Sequence, residues 1–405
     1  MHRKVYIVAA RRTPIGKFMG SLSGFSPGEL GSIVIRQLLE DTKVDPAAID
    51  EVIGGNVLSA GQMQGVIRQA SIKGGVPVEV PAYGINMICG SGMRAVMNGV
   101  NDIAAGDADI VIAGGTEVMS NAGFVLPGML RSGNRMGTMN AVDHMVCDGL
   151  TDAFNEYHMG ITAENVAQRY GISKEEQDAF SYASQQKAIA AVDEGRFDAE
   201  IVPVEIKSKK ETLIFCKDEF PNRTTSLDKM AALKPVFKKD GTVTAGNASG
   251  VNDGASFVML MSEDKMQELG LTPMAEVIAI AQGGVDPAYM GLGPVPAIRK
   301  ALQRADKRLD EMDFVELNEA FAAQSLGVIS ELKGEHKVSE EWIKLHVNPN
   351  GGAIALGHPI GSSGNRILVT LIHELIAHRK QWGLASLCIG GGMGTAIVIR
   401  NCRNN

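Results

Sequence analysis

Short apolar runs recur along the chain, and each stops at a glycine or an asparagine: Val52-Ile53 before Gly54, Ile110 to Ala113 before Gly114, Phe314 to Leu317 before Asn318, Leu387 to Ile389 before Gly390. Runs of this length bounded by turn residues read as buried strands. Val5 to Ala10 reads as a first strand. Amphipathic stretches around Ser32 to Asp41, Gly92 to Ala105, Ser173 to Glu194, Val295 to Ala305 and Asn365 to His378 lie between the runs and predict helices. Strand and helix signals that alternate in this way predict an α/β protein.

The pattern also repeats. Cys89-Gly90-Ser91-Gly92-Met93-Arg94 opens a helix that leads to Ile110-Val111-Ile112-Ala113-Gly114-Gly115, and Gly361-Ser362-Ser363-Gly364-Asn365-Arg366 opens another that leads to Leu387-Cys388-Ile389-Gly390-Gly391. Each unit is preceded by a strand begun by aspartate, Asp50-Glu51-Val52-Ile53 in one and Asp313-Phe314-Val315-Glu316-Leu317 in the other. A single match of glycine-rich turns is common, but two matches in the same order favour a duplicated α/β unit. Between them run a Gly- and Met-rich segment, Met119 to Met145, and then helical and basic stretches to about residue 250. Together these read as a long functional insertion.

With 405 residues, 45% of them hydrophobic, the chain can bury a large core and holds two or three domain-sized units in one body. A formal net charge of -7 argues against nucleic acid as a general partner. The stretch Glu205 to Lys239 departs from that balance, with nine basic residues against five acidic ones. It reads either as a solvated face or as a holder of a phosphorylated ligand. No segment offers roughly 18 continuous apolar residues for a membrane span; Leu384 to Ile399 comes nearest and is interrupted by four glycines. Five cysteines, at 89, 147, 216, 388 and 402, have neither framework nor metal spacing, and no address is visible in the tail. The expectation is a cytoplasmic protein, without membrane or nucleic-acid partners.

Four residues could carry chemistry. Cys89 stands at the start of a helix, where backbone N–H groups and the helix dipole favour a thiolate; a buried structural cysteine is the plainer reading. Cys388 ends a strand next to Gly390-Gly391-Gly392, a loop whose amides can approach a ligand oxygen, although it too could be a core cysteine. His358, on the turn Asn348 to Pro359, can deprotonate a thiol or donate to an oxyanion. Asn318 could hold a water or substrate oxygen, or simply cap the helix that follows.

Taken together, these segments resemble the signature blocks of the thiolase family over nearly the whole chain. They are Arg11-Arg12-Thr13-Pro14-Ile15-Gly16, Asn86-Met87-Ile88-Cys89-Gly90-Ser91-Gly92, Ala113 to Ser120, His158-Met159-Gly160, Gly246 to Ala255, Asn318-Glu319-Ala320-Phe321, Asn348 to Pro359 and Cys388 to Gly394. The resemblance implies two similar halves in a five-layered αβαβα core: an N-terminal half at 1-120 and 250-270, an inserted loop domain at 121-249 for oligomerisation and coenzyme A binding, and a C-terminal half at 271-405. It implies an acetyl-CoA C-acetyltransferase that joins two acetyl-CoA into acetoacetyl-CoA and CoA by ping-pong Claisen condensation, and runs the reverse thiolysis. A broader-chain 3-ketoacyl-CoA thiolase and a non-catalytic CoA- or lipid-binding relative are the alternatives.

By the same resemblance Cys89 accepts the acyl group, His358 activates it and Cys388 exchanges a proton with the substrate α-carbon. Asn318 fixes a water that forms one oxyanion hole with His358, and the backbone N–H groups of Cys89 and Gly390 form the other. CoA, as substrate and product rather than a tightly bound cofactor, is implied to lie against His158, Met159, Phe237, Ala245, Ser249 and Phe321, with Arg223 toward its nucleotide end. Met290 and Met159 are implied to crowd the acyl pocket. The apolar Met119 to Met145 segment resembles a loop that pairs dimers into a homotetramer.

Overall fold

The computed structural model describes residues 3–403 apart from 127, 134 and 208–210. Lys209 and Lys210 of the basic stretch, Pro127 and Asn134 of the Gly- and Met-rich segment, and the last two residues of the tail therefore lie outside the described residues. Ten strands make one continuous sheet: β1 (Val5–Arg12), β2 (Gly16–Lys17), β3 (Glu51–Gly55), β4 (Ala82–Ile85), β5 (Ile110–Val118), β6 (Asn252–Ser262), β7 (Ala275–Gly284), β8 (Phe314–Leu317), β9 (Trp382–Ile389) and β10 (Met393–Asn401). Their order is β8-β9-β10-β7-β1-β6-β5-β3-β4, with β2 paired to β6.

The duplication is visible in the ladder itself. In the first half β1 pairs antiparallel with β6, β6 antiparallel with β5, and β5 parallel with β3. In the second half β7, β10, β9 and β8 repeat that order and those directions. The two aspartates that begin a strand do the same work in each copy. Asp50 Oδ2 accepts the backbone N–H groups of Asp109 and Ile110 at 2.7 and 2.8 Å, and Asp313 Oδ2 accepts those of Gln381 and Trp382 at 2.9 Å each. Each carboxylate thereby fixes the register at which a parallel neighbour enters the sheet.

Five layers follow from which side chains face which helices. Helix α1 (Pro27–Thr42) covers the outer face of the first half through Leu30, Val34 and Leu38. Helix α2 (Ser91–Ala105) lies on the inner face; α3 (Met159–Tyr170) and α4 (Lys174–Asp193) belong to the long stretch between β5 and β6. The second half carries α5 (Pro294–Ala305) and α6 (Ala322–His336) on its outer face, and α7 (Ile360–Ala377) beside α2. Along β9 and β10, Leu384, Ala396 and Val398 face α5 and α6, whereas Ala385, Leu387, Ile397 and Ile399 face α2 and α7. This is the two-residue period of a strand buried on both sides. The sandwiched helices share one core with both half-sheets, and each fully buried Leu or Ile there contributes roughly 1.5–3 kcal/mol.

Helices α2 and α7 begin side by side at glycines. A Cβ on Gly92 would come within 3.0 Å of the Gly361 carbonyl, and one on Gly364 within 2.7 Å of the Met93 nitrogen. Two catalytic-type loops, one from each half, are thus brought against each other. Three sequence readings shift slightly: α1 starts at Pro27 rather than near Ser32, α7 starts at Ile360 rather than near Asn365, and Ala353–Leu356 forms a helical turn inside the Gly- and Pro-rich block. Among the described residues no helix is long and apolar enough to cross a membrane.

Candidate active site

The loops ahead of α2 and α7 and beyond β9 close around a cavity of about 330 Å3. Cys89, His358, Cys388 and Gly390 line it. His158, Met159, Phe237, Ala245, Ser249, Met290 and Phe321 line it too, as do Leu150 and Ile360.

Cys89 is placed by a tight turn between β4 and α2. Ile88 has φ +46°, a backbone conformation that β-branched residues avoid. Neighbouring side chains hold it there. Asn86 Oδ1 accepts the Ile88 N–H at 3.0 Å, while Ser91 Oγ accepts the Met87 N–H at 2.8 Å and donates to the Ile88 carbonyl at 2.7 Å. The sequence predicts a thiol acidified by the helix terminus, but α2 begins only at Ser91 and burial prevails. It pushes the Cys89 thiol up to about 11, against the pull of the Gly390 and Cys89 N–H groups, and the charge of Glu117 adds to the rise.

His358 follows Gly357, whose φ of +105° turns the chain where a Cβ would strike the Asn252 side chain at 2.5 Å. Asn252 Oδ1 takes the His358 backbone N–H at 3.0 Å. The ring is buried, with Nδ1 2.6 Å from Ser363 Oγ, and that hydroxyl also lies 2.9 Å from the Pro359 carbonyl. Burial, reinforced by the positive charge of Arg366, pushes the imidazole down to about 3, so the ring is neutral and able to accept a proton.

Asn318 is buried behind the histidine, its Nδ2 3.5 Å from both ring nitrogens. Its Oδ1 has no hydrogen-bond partner among the described residues. It caps no helix, since α6 starts at Ala322 with Phe321 as its N-cap. Cys388 is fully buried near the end of β9, its thiol pushed up first by burial and then by the neighbouring Cys89. Beyond it Gly391 and Gly392, with φ of +81° and +83°, turn the chain into β10.

On the far side, Phe237 stacks on His158 at 4.5 Å between ring centroids and meets Phe321 edge-on at 6.3 Å. Met159 and Met290 pack in the same cluster as Phe321 and Cys388. Arg223 is not part of this cavity's wall. It lines a separate groove of about 420 Å3 that shares Ala245 and Ala248 with the cavity, and its guanidinium is committed to Asp193 at 2.6 and 2.9 Å. Sequence reasoning singled out neither Ser363 nor Glu117, although both stand inside motifs that it quoted.

The chain matches the family models of the thiolase N-terminal domain over residues 5–264 and the thiolase C-terminal domain over residues 271–401. It is 55% identical over 396 residues to an acetyl-CoA acetyltransferase of Pseudomonas aeruginosa, covering 98% of each chain. An acetyl-CoA acetyltransferase of Cupriavidus necator is 54% identical with the same coverage. Among solved structures, an acetyl-CoA acetyltransferase from Syntrophomonas wolfei superposes with a TM-score of 0.95 at 43% identity, covering 99% of this chain and 100% of that one. One from Bacillus anthracis superposes with a TM-score of 0.94 at 42% identity, covering 99% of each chain. With both family models matched in order over nearly the whole chain, the chain belongs to the thiolase family.

Proposed function

We propose that this chain is an acetyl-CoA acetyltransferase that condenses two acetyl-CoA into acetoacetyl-CoA and CoA, and catalyses the reverse thiolysis, through an acetyl-Cys89 intermediate. The observation that carries the reading is the convergence of two thiols and a neutral imidazole, Cys89, Cys388 and His358, on one largely apolar cavity. In the first step the Cys89 sulfur attacks the acetyl carbonyl and its proton passes to His358. The Cys388 thiol gives its proton to the departing CoA sulfur. This leaves acetyl-Cys89, an imidazolium and a Cys388 thiolate. In the second step that thiolate takes an α-proton from a new acetyl-CoA, the enolate attacks acetyl-Cys89, and the Cys89 sulfur recovers its proton from His358.

Both steps build negative charge on a thioester oxygen, and that charge needs donors already in place. The N–H groups of Cys89 and Gly390 serve one oxygen. A water held by Asn318, together with His358, serves the other; the unpartnered, buried Asn318 Oδ1 supports a water at that point. Phe237, His158, Ala245, Ser249 and Phe321 wall the pantetheine. The adjoining groove, with Lys17 and Arg223 on its rim, suits the nucleotide end if Arg223 exchanges Asp193 for phosphate. The buried Met159 and Met290 favour short acyl groups over the broad-chain alternative.

The division into halves at 1-120 with 250-270 and at 271-405, around an insertion at 121-249, belongs to the same reading. So does a homotetramer, for which exposed Phe124, Val125, Met136 and Met139 supply an apolar surface. A cytoplasmic setting suits five unpaired cysteines. Initial rates of thiolysis test the chemistry: with acetoacetyl-CoA and CoA both varied, double-reciprocal lines run parallel for a ping-pong enzyme, and intersecting lines would contradict the covalent route.

A further inference from the structure

Glu117, the penultimate residue of β5, has its carboxylate fully buried, and four N–H donors from two segments converge on it. Oε1 accepts from Asn56 Nδ2 at 2.9 Å and the Leu58 N–H at 3.1 Å; Oε2 accepts from the Val57 N–H at 2.9 Å and the Gly361 N–H at 3.0 Å. The first three donors belong to the loop after β3, in the first half of the duplicated fold. Gly361 is the second residue of α7 in the other half, three residues beyond His358. Its own lack of a side chain permits the approach, since a Cβ there would lie 2.5 Å from Glu117 Oε2. The side chains of Val57, Leu58 and Ile360, which flank these bonds, pack in one apolar cluster against Ile88 and Cys89.

We infer that Glu117 is a positioning residue of the thiolase reaction, a carboxylate clamp that locks the His358 loop of one half onto the half that carries Cys89. The inference rests on the roles given above to Cys89 and His358. Glu117 and Cys388 are the titratable groups whose charge is felt at Cys89, and His358 lines the same cavity. Glu117 itself faces Asp253, which Ser120 holds at 2.7 and 2.9 Å. Burial pushes the Glu117 carboxyl up to about 7 while its backbone donors pull it down, so it is ionised in mildly alkaline solution. There its charge opposes ionisation of the Cys89 thiol in the empty site.

Charge and reach can be separated by two substitutions. Glu117→Gln keeps the length, removes the charge, and whichever way the amide is turned sets its NH2 against two N–H donors. Glu117→Asp keeps the charge but falls one methylene short of bridging Gly361 to the Asn56 loop. At pH 8, mass spectrometry follows iodoacetamide alkylation of the Cys89 peptide, alongside steady-state thiolysis and a thermal melt. Glu117→Gln should alkylate Cys89 severalfold faster, while kcat falls about tenfold or more and KM stays close to that of the unaltered enzyme. Glu117→Asp should lose kcat without the faster alkylation.

A Glu117→Gln enzyme with unaltered kcat and alkylation, or one in which both fall together with the melting temperature, would overturn the inference and leave Glu117 a structural residue. If neither variant folds, Asn56→Ala decides, since it removes one donor to Glu117 Oε1 and leaves the carboxylate in place: kcat should fall severalfold with KM little altered, and an unaltered kcat would overturn the inference. Acetylation of Cys89 in the unaltered enzyme is measured in parallel. Its absence would count against the proposed function, whereas its presence beside indifferent variants would count against the clamp alone.

Discussion

His358 Nδ1 lies 2.6 Å from Ser363 Oγ, and the serine hydroxyl is also within 2.9 Å of the Pro359 carbonyl. If the serine gives its proton to that carbonyl, it must accept the ring's N–H, which fixes the proton on Nδ1 and leaves the Nε2 lone pair to receive the Cys89 proton. Ser363→Ala removes the acceptor and frees the ring to take the other tautomer. Its kcat should fall about tenfold or more with KM little altered, and Ser363→Thr should recover part of the loss. Unchanged kcat in Ser363→Ala would assign the ring's orientation to Asn318 instead.

Glu316 is buried with neither carboxylate oxygen hydrogen-bonded among the described residues, 3.6 Å from the equally buried Arg366. Burial pushes its carboxyl up to about 8 from 4.5, against the pull of Arg366. A carboxyl raised on folding binds its proton more tightly in the native than in the unfolded state. It therefore costs nothing below the unfolded value and weakens the fold as pH rises from 4.5 toward 8. Glu316→Gln should melt no higher than the parent at pH 4 but gain roughly 1–3 kcal/mol at pH 8. Lost stability at both pH values would show that the ionised pair with Arg366 is worth more than its burial costs.

Met290 is buried at the cavity wall, in one cluster with Met159 and Phe321. Met290→Ala should raise turnover of a six-carbon 3-ketoacyl-CoA relative to acetoacetyl-CoA about tenfold. The vacated volume should cost roughly 2–5 kcal/mol of stability. A chain-length profile unmoved by the substitution would place the limit elsewhere, at Met159 or Leu150.

Phe124 and Met139 expose 70% and 53% of their surface on a chain whose other apolar residues are mostly buried. Light scattering should give four times the chain mass for the unaltered protein and a smaller assembly for the double substitution Phe124→Asp and Met139→Asp. A monomer at micromolar concentration in the unaltered protein would remove the tetramer.

The duplicated α/β plan was legible because Asp50 and Asp313, and the two glycine-led helix starts, recur in the same order at corresponding places of each half. The cavity wall was legible too, since its residues sit in contiguous blocks. What the sequence hid depends on distance in space. The elevated Cys89 thiol comes from burial by segments far along the chain, and a helix-terminus argument sees only its local neighbours. The Glu117 clamp joins residues 244 positions apart. The Arg223–Asp193 pair depends on how the insertion folds, which no periodicity in that charged stretch discloses.

The most direct test of the central claim is to mix the protein with acetyl-CoA alone, quench it, and map every cysteine peptide by mass spectrometry. One acetyl group should appear on Cys89, with one equivalent of CoA released before any acetoacetyl-CoA. Cys388→Ala should hinder that CoA release and should not carry the acetyl group on to acetoacetyl-CoA. Acetyl on Cys388 in place of Cys89, or acetoacetyl-CoA formed at full rate by Cys89→Ala, would contradict it.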